Sequence, residues 1–177
     1  MDNQNNNRIY SLDSSALINL EVYYPQKLFP KLWEKLAEEI KKGRLYVIDK
    51  VYGELQEKDD IVGAWLKEMR SDVRRTFPNS LMPKVYDIIR TFPKLIDINN
   101  PKEQADPYLV AYAESCGSII VTSENRIDNA NDPKRKKDKV PNVCEHYGVE
   151  YINNISRRSV NEFALRLFDE LGFEELG

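Results

Sequence analysis

Four acids, Asp13, Glu54, Asp106 and Glu124, stand where a parallel α/β sheet would gather them at one edge. Asp13 closes the run RIYSL. Glu124 follows the run SIIVT by two residues. Glu54 lies in the first turns of a helix after LYVI, and Asp106 starts the helix that leads into SIIVT. In open parallel sheets, ligands bind beyond the carboxyl ends of the strands, and crossover helices begin at that same edge. Carboxylates at close range repel, which raises some of their pKa values and destabilises the fold. Such a cluster is sensible if it holds a hard divalent cation. Mg²⁺ prefers oxygen ligands, keeps several waters and works with one or two carboxylates plus a substrate phosphate. A metal held this way can supply a hydroxide nucleophile and stabilise a phosphate undergoing in-line displacement. No histidine is needed, which suits a chain whose one histidine is His146.

Each acid also has a plain structural reading. Asp13 in L-D-S-S can cap a helix or close an Asx-turn. Asp106 followed by Pro107 makes an N-cap and N1 pair. Glu54 has Lys50 and Lys58 four residues away on either side, so a surface ion pair explains it. Glu124 sits in a polar loop. The case for a site is the constellation rather than any one member.

The elements that must position these residues follow from periodicity. Residues 8–12 read as a strand, and 14–23 as a helix with Ala16, Leu17, Leu20 and Tyr23 at helical spacing. Residues 29–42 form an amphipathic helix. Leu32, Trp33, Leu36 and Ile40 lie on one face, Lys31, Glu34, Lys35, Glu38 and Glu39 on the other, and Gly43 stops it. Residues 45–48 read as a strand, with Asp49 capping a helix over 50–57 and Asp60 capping another through Ile61, Trp65, Leu66 and Met69. Helices are expected over 83–92, 107–116, 141–147 and 160–171, and strands over 118–122 and 149–152. Strands alternating with helices indicate an α/β fold with a mostly parallel sheet.

Composition narrows the classes. The 177 residues suit one domain, with 41% hydrophobic and 31% charged residues. Residues 1–7 are polar and Asn-rich and read as a disordered tail before a single domain over 8–177. No apolar run approaches the ~20 residues of a membrane helix, and the first residues carry no apolar signal segment. The net charge of −3 excludes a blanket electrostatic grip on nucleic acid, though not a local basic patch. Cys116 and Cys144 form no C-x-x-C and read as small buried residues of a reducing compartment, which predicts a cytoplasmic protein. The glycines form no dinucleotide or P-loop motif.

At these residues the chain resembles the PIN-domain nucleases. YSLDSSALINL is similar to the family's apolar strand, first Asp, hydroxyl residue and apolar helix. VYGELQE resembles the helix carrying the second acid, and QADPYLVAYAESCG with SIIVTSE resembles the helix with the third acid and its following strand. The resemblance spans roughly residues 8–155. YYPQKLFPKLWEKL and NNPKEQADP look like one uncharacterised bacterial branch related to VapBC-type toxin ribonucleases. It implies a three-layer sandwich, a central mostly parallel sheet flanked by helices, and Mg²⁺- or Mn²⁺-dependent hydrolysis of RNA. It casts Asp13, Glu54, Asp106 and Glu124 as catalytic acids. Asp13, Asp106 and Glu124 would be metal ligands, Ser14 a hydroxyl on a ligand or phosphate, and Asn19 a polar residue of the first helix. It further implies a small antitoxin partner and a homodimer. The usual T-x-D with a second Asp soon after is here T-S-E-N. Glu124 replaces the first acid, and Asn125 or Arg126 stands where the second would be. This departure points to one-metal chemistry or weak activity.

RNA requires cations near the site. The run Lys134, Arg135, Lys136, Lys137 and Lys139 begins ten residues after Glu124 and is a candidate substrate grip, diluted by Asp132 and Asp138. Arg74-Arg75 and Arg157-Arg158 are weaker candidates, equally explained as helix-end charge. Trp33 and Trp65 fall on apolar faces, and His146 on a helix surface. Two rival readings stay open. One is a catalytically weak or inactive module that binds RNA or protein, and the other a metal-dependent phosphodiesterase or phosphoesterase acting on DNA or on a small phosphate.

Overall fold

Short runs of aliphatic and aromatic residues, too brief for helices, build the middle of the sheet. The computed structural model describes residues 7–57, 61–128, 137–154 and 161–173. Among them lie β1 (Tyr10–Leu12), β2 (Leu45–Ile48), β3 (Arg74–Arg75), β4 (Ile119–Val121) and β5 (Tyr151–Ile152). They form one five-stranded sheet in the order β3-β2-β1-β4-β5, with every neighbouring pair parallel. β1, β2 and β4 are buried throughout, as parallel strands covered on both faces must be. Tyr10 pairs with Leu45 on one side and Ile119 on the other, which makes β1 the central strand.

The α-helices among the described residues are α1 (Ser14–Tyr23), α2 (Pro30–Lys41), α3 (Asp49–Gln56), α4 (Ile61–Glu68), α5 (Arg70–Val73), α6 (Met82–Thr91), α7 (Asp106–Cys116), α8 (Val140–Tyr147) and α9 (Glu162–Glu170). α2 buries Leu32, Trp33, Leu36 and Ile40 as its spacing predicts. Trp33 stacks edge-on against Trp65 of α4 and donates its indole N–H to the Tyr24 carbonyl at 2.7 Å. Gly43 adopts φ 75°, a left-handed turn that ends α2 and feeds β2. The sheet is therefore α/β and all-parallel, with helices covering it.

Several expectations need correction. Glu39 is not on a solvated face. It is buried and paired with Arg44 at 2.8 Å and Lys42 at 2.7 Å, so its charge is met by the turn after its own helix. Asp49 and Asp106 are the first residues of α3 and α7 rather than their caps. Cys116 is exposed at the end of α7, whereas Cys144 is buried. α5 and the two-residue β3 carry no apolar signature and were not expected. Arg75 is held there, its guanidinium 3.9 Å from the Tyr46 ring centre and donating to the Gly43 carbonyl at 3.0 Å. Of the expected tail over 1–7, residues 1–6 lie outside the described residues, as do the Asp60 cap, Lys58, Arg157-Arg158 and Val160.

Candidate functional site

The carboxyl ends of β1 and β4 are stitched together around Asp13. Its amide donates to the Val121 carbonyl at 2.9 Å, and its own carbonyl accepts from Ala16 at 3.1 Å and Leu17 at 3.3 Å, starting α1. The side chain makes no capping bond. It turns inward at 3% exposure, and its Oδ2 accepts from Ser15 Oγ at 2.5 Å and Thr122 Oγ1 at 2.8 Å. Burial pushes the Asp13 carboxyl above the ordinary aspartate range, the Ser15 and Thr122 bonds work against that rise, and the Glu124 charge adds to it.

Asp106 does not serve as the cap of α7 either. That position is Ala105, whose N–H is accepted by the Glu54 carboxylate at 2.9 Å. Glu54 thus reaches from α3 to the start of α7, and the neighbouring Lys50 pairs with Glu103 at 2.7 Å instead. Burial, then the charges of Asp13, Glu124 and Glu54, raises the Asp106 carboxyl to about 8. Asp13, Glu124 and Glu54 thus each lie within electrostatic reach of Asp106, and Glu124 also within reach of Asp13.

Both carboxylate oxygens of Glu124 are engaged. One oxygen accepts from the Val140 N–H at 3.0 Å, at the start of α8, and the other meets the Lys139 ammonium at 2.7 Å. Lys137 stands 3.6 Å from Asp106. Burial pulls the Lys137 ammonium down, but Asp106, Glu124 and Asp13 outweigh that and hold it above the usual lysine range. The acids thus meet basic partners, contrary to a cluster without them. Lys134, Arg135 and Lys136 lie outside the described residues.

Sequence reasoning singled out Ser14, whose Oγ is 3.5 Å from Asp13; Ser15 makes the short bond and also contacts Thr122 at 3.1 Å. Asn19 donates to Ser123 Oγ at 2.6 Å and so fixes the loop that carries Glu124. The asparagine pair after β5 does the same from the other side, Asn153 donating to the Glu124 carbonyl at 3.2 Å and Asn154 to the Ser123 carbonyl at 3.1 Å. Ser15, Thr122, Asn153 and Asn154 were not anticipated as site residues, and Lys139, expected to meet substrate, instead meets Glu124. The available signals were polar residues at the ends of two buried strands. His146 is exposed, packed against Phe92 and Tyr147, and stands apart from the acids' hydrogen bonds.

Two clefts share Gln104, one reaching Glu54 and the other Lys137. One, of about 740 Å³, is lined by Glu54, Asp49, Lys50, Arg74, Lys102 and Gln104 among others. The second, of about 490 Å³, is lined by Lys137, Pro93, Ile98 and the same Gln104. The four acids offer only oxygen atoms, the donor type a hard cation takes. Among the described residues no three His, Cys, Asp or Glu side chains stand close enough together to bind one ion directly. No helix among the described residues is long and apolar enough to cross a membrane.

No curated protein matches the chain. Among solved structures, it is similar to a chain of the crystal structure of VapBC2 from Rickettsia felis bound to a DNA fragment from their promoter. The two are 16% identical, with a TM-score of 0.47, over 83% of this chain and 99% of that one. The family described as "Domain of unknown function (DUF4411)" matches residues 10–159, most of the chain, and the protein belongs to that family.

Proposed function

We propose that this protein is a metal-dependent endoribonuclease of the PIN type, with one domain over 8–177, and the toxin of a toxin–antitoxin pair. The observation that carries the reading is Asp13, buried where the ends of β1 and β4 join and held there by Ser15 and Thr122, with Glu124 and Asp106 close enough to act on it or be acted on by it. Evolved folds seldom keep acids in such repulsion unless a cation is to be bound there. The resemblance of the YSLDSSALINL and ADPYLVAYA segments to PIN nucleases supports the same reaction class.

Asp13 and Asp106 would hold Mg²⁺ or Mn²⁺ directly, with Glu54 and Glu124 acting through water, since both spend an oxygen on a backbone N–H. When bound, that ion supplies an activated water and charge stabilisation for phosphodiester cleavage. The chain's own residues do the positioning. Ser15 and Thr122 fix the Asp13 carboxylate, and Glu54 holds the start of α7 where Asp106 projects. Lys137, with Lys134, Arg135 and Lys136, would meet the RNA backbone, and Ser14 a phosphate or water. The proposed partners are RNA, a small antitoxin and a second copy of the chain, in the cytoplasm.

The test is RNA cleavage with Mn²⁺ or Mg²⁺, with and without EDTA, beside Asp13→Asn. Turnover that EDTA and the variant both abolish supports the reading. A second reading, a module that binds RNA or protein without turnover, is favoured by Lys139 and Lys137 already meeting Glu124 and Asp106. It expects RNA binding that survives Asp13→Asn with no cleavage. Turnover of DNA with RNA untouched would select the DNA-directed alternative.

A further inference from the structure

The segment Lys137-Asp138-Lys139 runs into α8 with extended backbone at Lys139, φ −122° and ψ 144°. Side chains alternate along extended chain, so the two lysines share a side and Asp138 points away. Their contacts follow that alternation. Lys137 reaches Asp106 at 3.6 Å and Lys139 reaches Glu124 at 2.7 Å. Asp138 is buried at 3% exposure against the segment after α6. Its amide donates to the Lys94 carbonyl at 3.0 Å, and its carboxylate accepts the Lys94 N–H at 3.1 Å. A two-way tie of this kind fixes the segment at its middle residue, so both ammonium groups are held over the acids without a tether of their own.

We infer that this segment is a built-in counter-ion strap, positioned by Asp138, whose two ammonium groups occupy the site beside Asp106 and Glu124 until a divalent cation takes the acids and displaces them. The inference rests on the metal site proposed above. The two lysines stand close to the acids that such an ion would approach, and like charges cannot share that space. A long, flexible lysine side chain can swing away at little cost, whereas the Asp138 tie keeps its backbone in place. Displaced lysines remain at the site, where a phosphate would be the next anion available to them.

The experiment uses the full-length protein and three variants, Lys137→Met, Asp138→Ala and Asp138→Asn. Thermal unfolding is followed in EDTA, and Mn²⁺ uptake by calorimetry; neither readout depends on turnover. Replacing an ordinary surface lysine with methionine leaves stability nearly unchanged. Here Lys137→Met is expected to lower the melting temperature in EDTA and to bind Mn²⁺ about tenfold more tightly, the order expected for removing one unit charge a few ångströms away in a partly hydrated site. Asp138→Ala, which frees the strap, is expected to tighten Mn²⁺ binding in the same direction. Asp138→Asn keeps an oxygen to accept the Lys94 N–H and should bind Mn²⁺ like the native chain. If the native protein binds Mn²⁺ and Lys137→Met binds it no more tightly, the strap is overturned while the metal site stands. If no form takes up Mn²⁺, the metal site itself fails and displacement fails with it. Should Asp138→Ala not fold, Lys137→Met alone decides the outcome.

Discussion

Thr122 donates its hydroxyl to Asp13 at 2.8 Å, joining the carboxyl ends of two neighbouring strands through a single buried carboxylate oxygen. Ser15 donates to the same oxygen. Together they favour the charged form of an acid that burial would otherwise neutralise. Thr122→Val keeps the shape of the side chain and removes one donor. It is expected to cost about 1–3 kcal/mol in urea unfolding at neutral pH, where Asp13 is left under-bonded, and to weaken Mn²⁺ binding. Unchanged stability and unchanged uptake would show that the hydroxyl does not support the carboxylate.

Glu54 offers a cleaner separation of structure from charge. Its carboxylate accepts the Ala105 N–H, the helix-start donor that Asp106 leaves unmet. Glu54→Gln retains an accepting oxygen and should hold its stability while losing cation affinity and cleavage. Glu54→Ala should lose the bond as well, at a further cost of about 1 kcal/mol. Equal activity of Glu54→Gln and the native protein would remove Glu54 from the site and leave it as a cap.

The pH dependence follows from Asp106. Burial first, then Asp13, Glu124 and Glu54, hold its proton to about 8, while an ordinary aspartate ionises at 3.8. Between those values the folded chain binds a proton that the unfolded chain has lost. The group therefore costs stability increasingly as pH rises from 3.8 towards about 8, and by a constant amount beyond. Its side chain keeps 20% of its surface exposed, so solvent screening reduces this to about 1–3 kcal/mol. Asp106→Asn should match the native protein near pH 4 and exceed its stability at pH 8 in EDTA, as read by urea unfolding. A cation must displace the same proton, so Mn²⁺ affinity should climb between pH 6 and pH 8 with proton release on binding. A variant less stable at pH 8, or an affinity independent of pH, would contradict this assignment.

The loop after β4 is held from both sides, by Asn19 of α1 and by Asn153 and Asn154 after β5. Asn153→Ala and Asn154→Ala should each destabilise the protein by about 1 kcal/mol and loosen the hydrogen-exchange protection of the Glu124 amide. Protection identical to the native protein would show that these side chains do not fix the loop.

Much of the frame is legible because element ends coincide with chemistry. Leu12 to Asp13 is a buried strand ending at an acid, and Asp106-Pro107 marks a helix start whichever role the acid plays. The bounds of α1 and β2 follow from spacing alone. What spacing hides is side-chain direction. Ser14 is adjacent to Asp13 in sequence, yet Ser15, one step further round the first turn, bonds it. Glu39 reads as a solvated charge because its partner Arg44 lies beyond the helix end. β3 is two arginines, without the apolar run that announces a strand, and Arg75 there stacks on Tyr46 of the neighbouring strand. Lys137 and Lys139 are inseparable from a solvated basic loop until Asp138 is seen to anchor between them.

The most direct measurement is an anomalous difference map from crystals soaked in manganese, with uptake by calorimetry on the same protein. A peak beside Asp13 and Asp106, lost in Asp13→Asn, is the expected result. A map with no peak there, together with no measurable heat of binding, would contradict a cation site at these acids.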